Sequence, residues 1–140
     1  MRISCNSKQI DIPLIHRFLS EESQWAKGIS LPVVEKAIKN SLCFAGYVGS
    51  NQMAFARVVS DYATFANLVD VFVLQDYRGK GYGKEILEAV LSHSELQGLR
   101  RFTLATADAH GLYQQYGFNE LAKPQVFMEK YDPNVYTVSP

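Results

Sequence analysis

The chain has 140 residues with 14 basic and 14 acidic side chains, so its formal net charge is zero. That length lies in the range of a single domain able to bury a core, and the lack of a basic excess argues against nucleic acid as a partner. Only Cys5 and Cys43 are present; they match neither a zinc spacing nor a disulfide framework, and no His, Cys and carboxylate group has metal-ligand spacing, so a metal-free chemistry in a reducing cytoplasm is expected.

The start, Met1 to Asn6, lacks an apolar signal region, and no apolar run approaches membrane-spanning length. Arg2 to Cys5 reads as a short first strand. Ile12 to Leu19 fits a helix, with Asp11 as N-cap and Pro13 tolerated in its first turn. Ser20 to Ile29 is polar and loop-like, interrupted by Trp25. Ser30-Leu31-Pro32 opens a second helix that carries Val33, Val34, Ala37 and Ile38. Ser41 to Val48 reads as a strand, Gly49 to Gln52 as a hairpin turn, and Met53 to Ser60 and Thr64 to Leu74 as further strands. A glycine-rich stretch then leads into a segment with Ile86, Leu87, Val90 and Leu91 at helical spacing, closed by Gly98. Arg101 to Thr106 reads as a strand, Ala109 to Tyr116 as a helix, and Val126 to Lys130 as a last strand. Helices interleave with strands, so the class is α/β with a mixed sheet in one domain over residues 1–140.

The stretch Val71-Phe72-Val73-Leu74-Gln75-Asp76-Tyr77-Arg78-Gly79-Lys80-Gly81-Tyr82-Gly83-Lys84 carries the most information. It runs strand, glycine-rich loop, helix start. Alternating glycines let a backbone approach a ligand closely. The free N–H groups of the helix's first turn face the same point, where the helix dipole favours negative charge. Such a loop suits phosphate oxygens. It is not a nucleoside-triphosphate loop, because Glu85 stands where a hydroxyl would hold magnesium. Nor is it the dinucleotide fingerprint, whose third glycine position is Lys84.

What remains, Arg78-x-x-Gly81-x-Gly83, resembles the pyrophosphate loop of the GNAT superfamily of acyl-coenzyme A N-acyltransferases. Leu112-Tyr113-Gln114-Gln115-Tyr116-Gly117-Phe118 resembles that superfamily's second signature, and the two occur in the usual order. Asp70-Val71-Phe72-Val73 looks like the strand that precedes the loop in small members. Thr106 to Tyr113 resembles a subgroup of small bacterial-type members with Asp-Ala-His-Gly-Leu-Tyr. The clear motifs cover Asp70 to Phe118. Thr106 departs from the pattern, since many members carry Asn there against the pantetheine arm.

The resemblance implies a fold in which two parallel strands splay apart and the acyl-thioester arm lies in the gap. Here these are the strand ending at Leu74 and the one starting near Arg101. It implies acetyl-coenzyme A as cosubstrate, with backbone N–H groups from Gly79, Lys80, Gly81, Tyr82, Gly83 and Lys84 on the pyrophosphate. Arg78 and Lys80 add charge there or stay solvated. The pantetheine arm is peptide-like and can pair with the open edge at Val71, Phe72 and Val73 as a pseudo-strand. One N–H of that edge is placed to polarise the thioester carbonyl, and removing a comparable donor costs ~3 kcal/mol of barrier. An uncharged primary amine then attacks, and a tetrahedral intermediate expels a thiolate.

A thiol has a pKa of about 8.5 and a phenol about 10, so a tyrosine can donate a proton without losing it beforehand. Tyr113 holds the superfamily's general-acid position; the alternative, a packing tyrosine, suits Tyr116. Asp70 is the candidate base or amine-orienting group. Strand alternation puts it on one face with Phe72 and Leu74, and a buried Asp needs a partner, so a salt bridge to Arg57 or another cation is an equal reading. Asp108 reads as a helix N-cap, and His110 as a packing or capping residue. Trp25, Tyr62 and Phe65 are candidates to line the acceptor pocket.

An N-acetyltransferase acting on a small-molecule amine leads. A catalytically degenerate coenzyme A sensor, an acetyltransferase of protein amino groups and a non-enzymatic interaction protein are the alternatives. The sequence leaves a homodimer open, with Tyr131 to Pro140 as a segment that could exchange between subunits.

Overall fold

The computed structural model describes residues 1–137. One sheet of five strands, in the order β1-β2-β3-β4-β5, organises the chain. β1 (Arg2–Ser4), β2 (Leu42–Val48), β3 (Asn51–Ser60) and β4 (Phe65–Val73) run antiparallel, and β5 (Arg101–Leu104) pairs parallel to β4. This is the mixed α/β sheet that the sequence pattern predicts.

Strand alternation sorts the two cores. Phe44, Ala56, Val58 and Leu68 face α3 (Tyr82–Ser92), which buries Ile86, Leu87 and Val90 against them. Cys43, Phe55 and Phe72 face the other way. They meet Ile15 of α1 (Ile12–Arg17), Phe18 and Leu19 just after it, and Val34 and Ile38 of α2 (Leu31–Lys39). Adjacent residues in one strand, such as Phe55 and Ala56, thus serve opposite layers. The Phe18 and Phe72 rings stack with centroids 4.0 Å apart, fixing α1 to β4.

Local signals set several ends as expected. The Asp11 carboxylate accepts from the Leu14 N–H at 3.1 Å and caps α1, with Pro13 in the first turn. Most strand ends move by one or two residues, and four elements differ more. The predicted first helix ends at Arg17 and passes into a π turn over Phe18–Glu22, within which the expected loop begins. The Ser23 N–H reaches back to the Phe18 carbonyl at 2.9 Å, and the buried Ser23 hydroxyl donates to the Leu19 carbonyl at 2.6 Å. These bonds swing the chain outward at Trp25. The predicted strand over Arg101–Thr106 stops at Leu104, and the predicted helix over Ala109–Tyr116 narrows to α4 (His110–Gln114). The predicted strand over Val126–Lys130 does not form. Pro124–Val126 make a single 3-10 turn, and the described residues after it pair with no strand.

Two irregularities place the site. Pairing of β4 with β5 ends at Leu68–Leu104, while β4 continues to Val73. Beyond Leu68 the β5-facing side of β4 has no strand partner. In the same stretch β4 carries one extra residue against β3, between the pairs Arg57–Val69 and Phe55–Phe72. The extra residue is Asp70, with φ 56° in the left-handed region. Asp tolerates that region better than most residues. The bulge resets the alternation, so that Leu68 and Val71 both face the α3 layer while Asp70 and Phe72 face α1.

Candidate active site

The glycine loop ends β4 and starts α3. Gly79 and Gly81 have φ 78° and 85°, so the chain turns through two left-handed residues that side chains would strain. Gly81 is the N-cap of α3 and offers no side-chain cap, so the first N–H groups of the helix stay free of side-chain partners. A Cβ added at Gly79, Gly81 or Gly83 would meet nothing within 4 Å. The glycines thus leave open space directly over the helix N-terminus, which fits a diphosphate held by main-chain amides. Lys80 and Lys84 stand on the same turn, both exposed. Arg78 is exposed, and its Nε donates to the Val73 carbonyl at 2.8 Å and ties the loop to the end of β4.

Next to the loop, Gly83 of α3, Leu68 and Val71 of β4, and Leu112 and Tyr113 at α4 line a narrow cavity of about 40 Å³. It sits where β4 and β5 part. Tyr113 also lines a second cavity, of about 330 Å³, along β5 with Thr106 and His110. The Tyr113 ring packs edge-on against Phe118, centroids 5.9 Å apart. Burial, and secondarily the negative charge of Asp108, push its phenol above the ordinary tyrosine value. Tyr116 differs, with its hydroxyl donating to Glu88 at 3.0 Å.

Thr106 and His110 organise the start of α4. The Thr106 hydroxyl accepts from the Ala109 N–H at 3.2 Å, and His110 Nε2 lies 2.9 Å from the Thr106 carbonyl. The N-cap expected from Asp108 does not form: Ala109 is the N-cap of α4, no side chain caps the helix, and Asp108 is exposed.

On the opposite layer, Asp70 is buried and accepts two hydrogen bonds. Arg57 Nε donates to one carboxylate oxygen at 2.8 Å, and Trp25 Nε1 donates to the other at 2.8 Å. Arg57 also donates to the Ser41 hydroxyl at 3.0 Å. Asp70 and Arg57 line a cavity of about 40 Å³ whose walls include Ile15, Leu19, Val34, Phe55 and Tyr136. Trp25 is half-exposed and bound to the carboxylate rather than anchored in the core. Tyr62 and Phe65, proposed as pocket residues from their place before β4, lie exposed at its far end, where Phe65 pairs with Arg101. The role of Ser23 in aiming Trp25 leaves no motif in the sequence.

A family model for the acetyltransferase (GNAT) domain matches residues 39–120. The chain belongs to the GNAT acetyltransferases. A crystal structure from Xanthomonas campestris pv. campestris, described as a GNAT-family acetyltransferase, is 55% identical, covers 98% of this chain and 96% of its own, and superposes with a TM-score of 0.96. A GNAT family acetyltransferase from Elizabethkingia anophelis, solved with acetyl-CoA bound, shares the fold with a TM-score of 0.63 at 14% identity, over 84% of this chain and 75% of its own. A Gibberella zeae protein described as an acetyltransferase is 26% identical over 133 residues, 79% of this chain and 74% of that protein. In this GNAT domain the family match spans the parted strands, the glycine loop, α3 and α4. It excludes α1, the π turn and α2, which build the Asp70 side. Among the described residues no group of three or more His, Cys, Asp or Glu could hold a metal ion, and no helix is long and apolar enough to cross a membrane.

Proposed function

We infer that the protein transfers an acetyl group from acetyl-CoA to the amine of a small molecule. The observation that carries this reading is convergence. The open glycine turn at the start of α3, the unpartnered stretch of β4 and Tyr113 border one narrow cavity at the point where β4 and β5 separate. Acetyl-CoA supplies an activated acyl carbon and a thiolate leaving group. The main-chain amides of Gly79 to Lys84 bind its diphosphate, and Lys80 adds positive charge. The free edge at Val71, Phe72 and Val73 takes the amide-bearing arm, and one of its N–H groups stabilises charge on the carbonyl oxygen. Thr106 keeps its hydroxyl proton for the same arm while its oxygen accepts from the Ala109 N–H.

The neutral amine adds to the thioester carbonyl, forming the carbon–nitrogen bond of a tetrahedral intermediate; its nitrogen loses a proton to Asp70 or water, and Tyr113 gives its own proton to the sulfur as the carbon–sulfur bond breaks. Its raised pKa keeps the phenol protonated at neutral pH. Asp70 orients the amine. A carboxylate offers about four acceptor positions; Trp25 and Arg57 occupy two, and the remainder accept from the nucleophile. The small cavity beside Asp70, with its apolar walls, supports a small amine with an apolar part as acceptor rather than a folded protein surface.

The test combines calorimetric titration with coenzyme A and thiol release from acetyl-CoA over a panel of primary amines. Binding together with amine-dependent thiol release is expected. Binding without release from any amine would favour the sensor reading, and no binding would remove the donor assignment altogether.

A further inference from the structure

We propose that the acceptor is a small apolar amino acid, held at both of its charged ends by the Asp70–Arg57 pair. This deepens the acetyl-transfer reading and rests on it. The pair keeps hydrogen-bonding capacity beyond its own bridge. Arg57 has five N–H donors. Nε goes to Asp70 and Nη1 gives one to the Ser41 hydroxyl, so three have no partner among the described residues. No buried side-chain nitrogen or oxygen among those residues lacks a partner, so the unpaired Nη2 is open to solvent. Asp70 keeps acceptor positions beyond the two that Trp25 and Arg57 fill. Both side chains line the same cavity.

Unused donors on a cation thus stand beside unused acceptors on an anion, with Arg57 Nε and Asp70 Oδ2 2.8 Å apart. An amine and a carboxylate borne on one carbon have the same side-by-side arrangement. The amine faces Asp70, and the carboxylate lies against the Arg57 fork, whose planar donors match it. Charge balance makes the same choice. Among the described residues lining the cavity, Arg57 and Asp70 are the only charged ones, and their charges cancel. A simple alkylamine enters as an ammonium ion and brings an uncompensated charge among Ile15, Leu19, Val34 and Phe55, which is costly. A zwitterion brings none, and the total stays zero when its nitrogen passes a proton to Asp70. Transfer then joins that nitrogen to the acetyl carbon and frees the thiol of coenzyme A, so the product is an N-acetyl amino acid.

The apolar walls select the side chain. A cavity of about 40 Å³ holds roughly three groups the size of a water molecule, at ~10–15 Å³ each. That suits a short branched chain such as that of valine and is too small for an aromatic ring. Tyr136 forms part of the wall. Gly28, with φ 81°, fixes it in place: a Cβ there would come within 2.8 Å of the Tyr136 carbonyl oxygen. Tyr136 is therefore a specificity-determining residue, supplied from beyond the stretch that the family model matches.

Thiol release from acetyl-CoA, measured with calorimetric binding of the acceptor to the enzyme–coenzyme A complex, tests the proposal. L-Valine is the expected acceptor. Its kcat/KM should exceed those of isobutylamine, its decarboxylated counterpart, and of valine methyl ester by about 10- to 100-fold. Arg57→Lys keeps a cation beside Asp70 but loses the fork, so those ratios should fall toward one. Tyr136→Ala opens the cavity and should move the preference from valine to leucine and phenylalanine, a change of order that lost stability alone does not produce. Isobutylamine used as well as valine overturns the proposal, and so does a preference for lysine or glutamate. Valine that neither binds nor reacts also overturns it, and other amines that still react would leave the transfer reading intact. If no acceptor releases thiol while valine binds with the same dependence on Arg57 and Tyr136, the transfer reading fails and the amino acid site stands.

Discussion

The two sides of the parted strands are built from different material. On the donor side, the groups that face the opening are main-chain amides: the uncapped first turn of α3, the left-handed glycines before it, and the bare edge of β4. On the acceptor side, the groups are side chains from distant parts of the chain, with Trp25, Arg57 and Asp70 joined by two bonds of 2.8 Å. A main-chain site tolerates almost any sequence that keeps its dihedrals. A side-chain site depends on which residues the fold happens to bring together, and it can change its ligand by one substitution. The family match covers the donor side together with Arg57 and Asp70 and leaves out Trp25.

Substitutions separate the two halves further. Tyr113→Phe should have the largest effect, lowering kcat by about 100-fold or more while leaving coenzyme A binding intact. Its pH profile sharpens the assignment. Burial and Asp108 raise the Tyr113 pKa, so the protonated acid persists beyond the usual tyrosine range, and wild-type activity should fall only above about pH 10. An alkaline limb that survives in Tyr113→Phe would assign the acid elsewhere.

Arg57→Ala should come next. It leaves the buried Asp70 carboxylate with Trp25 alone, and breaking a buried pair in this way costs about 3 kcal/mol. Urea denaturation should show that loss, while coenzyme A affinity measured under native conditions stays near the wild-type value. A variant as stable as the wild type would mean that water replaces the guanidinium.

Gly81→Val and Gly83→Ala probe the donor side by different routes. At Gly81 a side chain has room but the backbone is left-handed, which costs roughly 1–2 kcal/mol. Donor binding should weaken about tenfold as the turn relaxes. At Gly83 the backbone is helical and a methyl group meets nothing. Stability should therefore hold or improve slightly, and any loss of coenzyme A affinity by calorimetry reports a phosphate occupying that space. Trp25→Phe should have the smallest effect, removing one hydrogen bond worth ~1 kcal/mol. An increase of about fivefold in the acceptor KM, with the donor KM unchanged, would place Trp25 with the amine.

The legibility of the chain follows the same division. The strand, loop and helix from Val71 to Lys84 were readable because glycines at φ 78° and 85° have few substitutes and the helix period after them is regular. The N-cap at Asp11 was readable because capping is a matter of three or four adjacent residues. Trp25 was harder. A single Trp usually signals a core, and only the π turn at Phe18–Glu22 with the buried Ser23 brings it to a carboxylate 45 positions later in the chain. The bulge at Asp70 was not legible because Asp tolerates a left-handed position better than most residues, yet a lone Asp does not specify one. The strand pattern at Val126–Lys130 is genuine in composition, yet strand composition forms a strand only where an edge accepts it.

By itself the order of residues determined the element sequence as far as α4 and the glycine turn before α3, because each rests on contacts within a few positions or on a strict period. Only the tertiary structure decided that β4 and β5 part after Leu68, that β4 bulges at Asp70 and that Trp25 joins the expected Arg57 on its carboxylate. It also left the β5 edge bare. These outcomes depend on one extra residue in a ladder and on contacts between remote segments, and neither leaves a local mark in the chain.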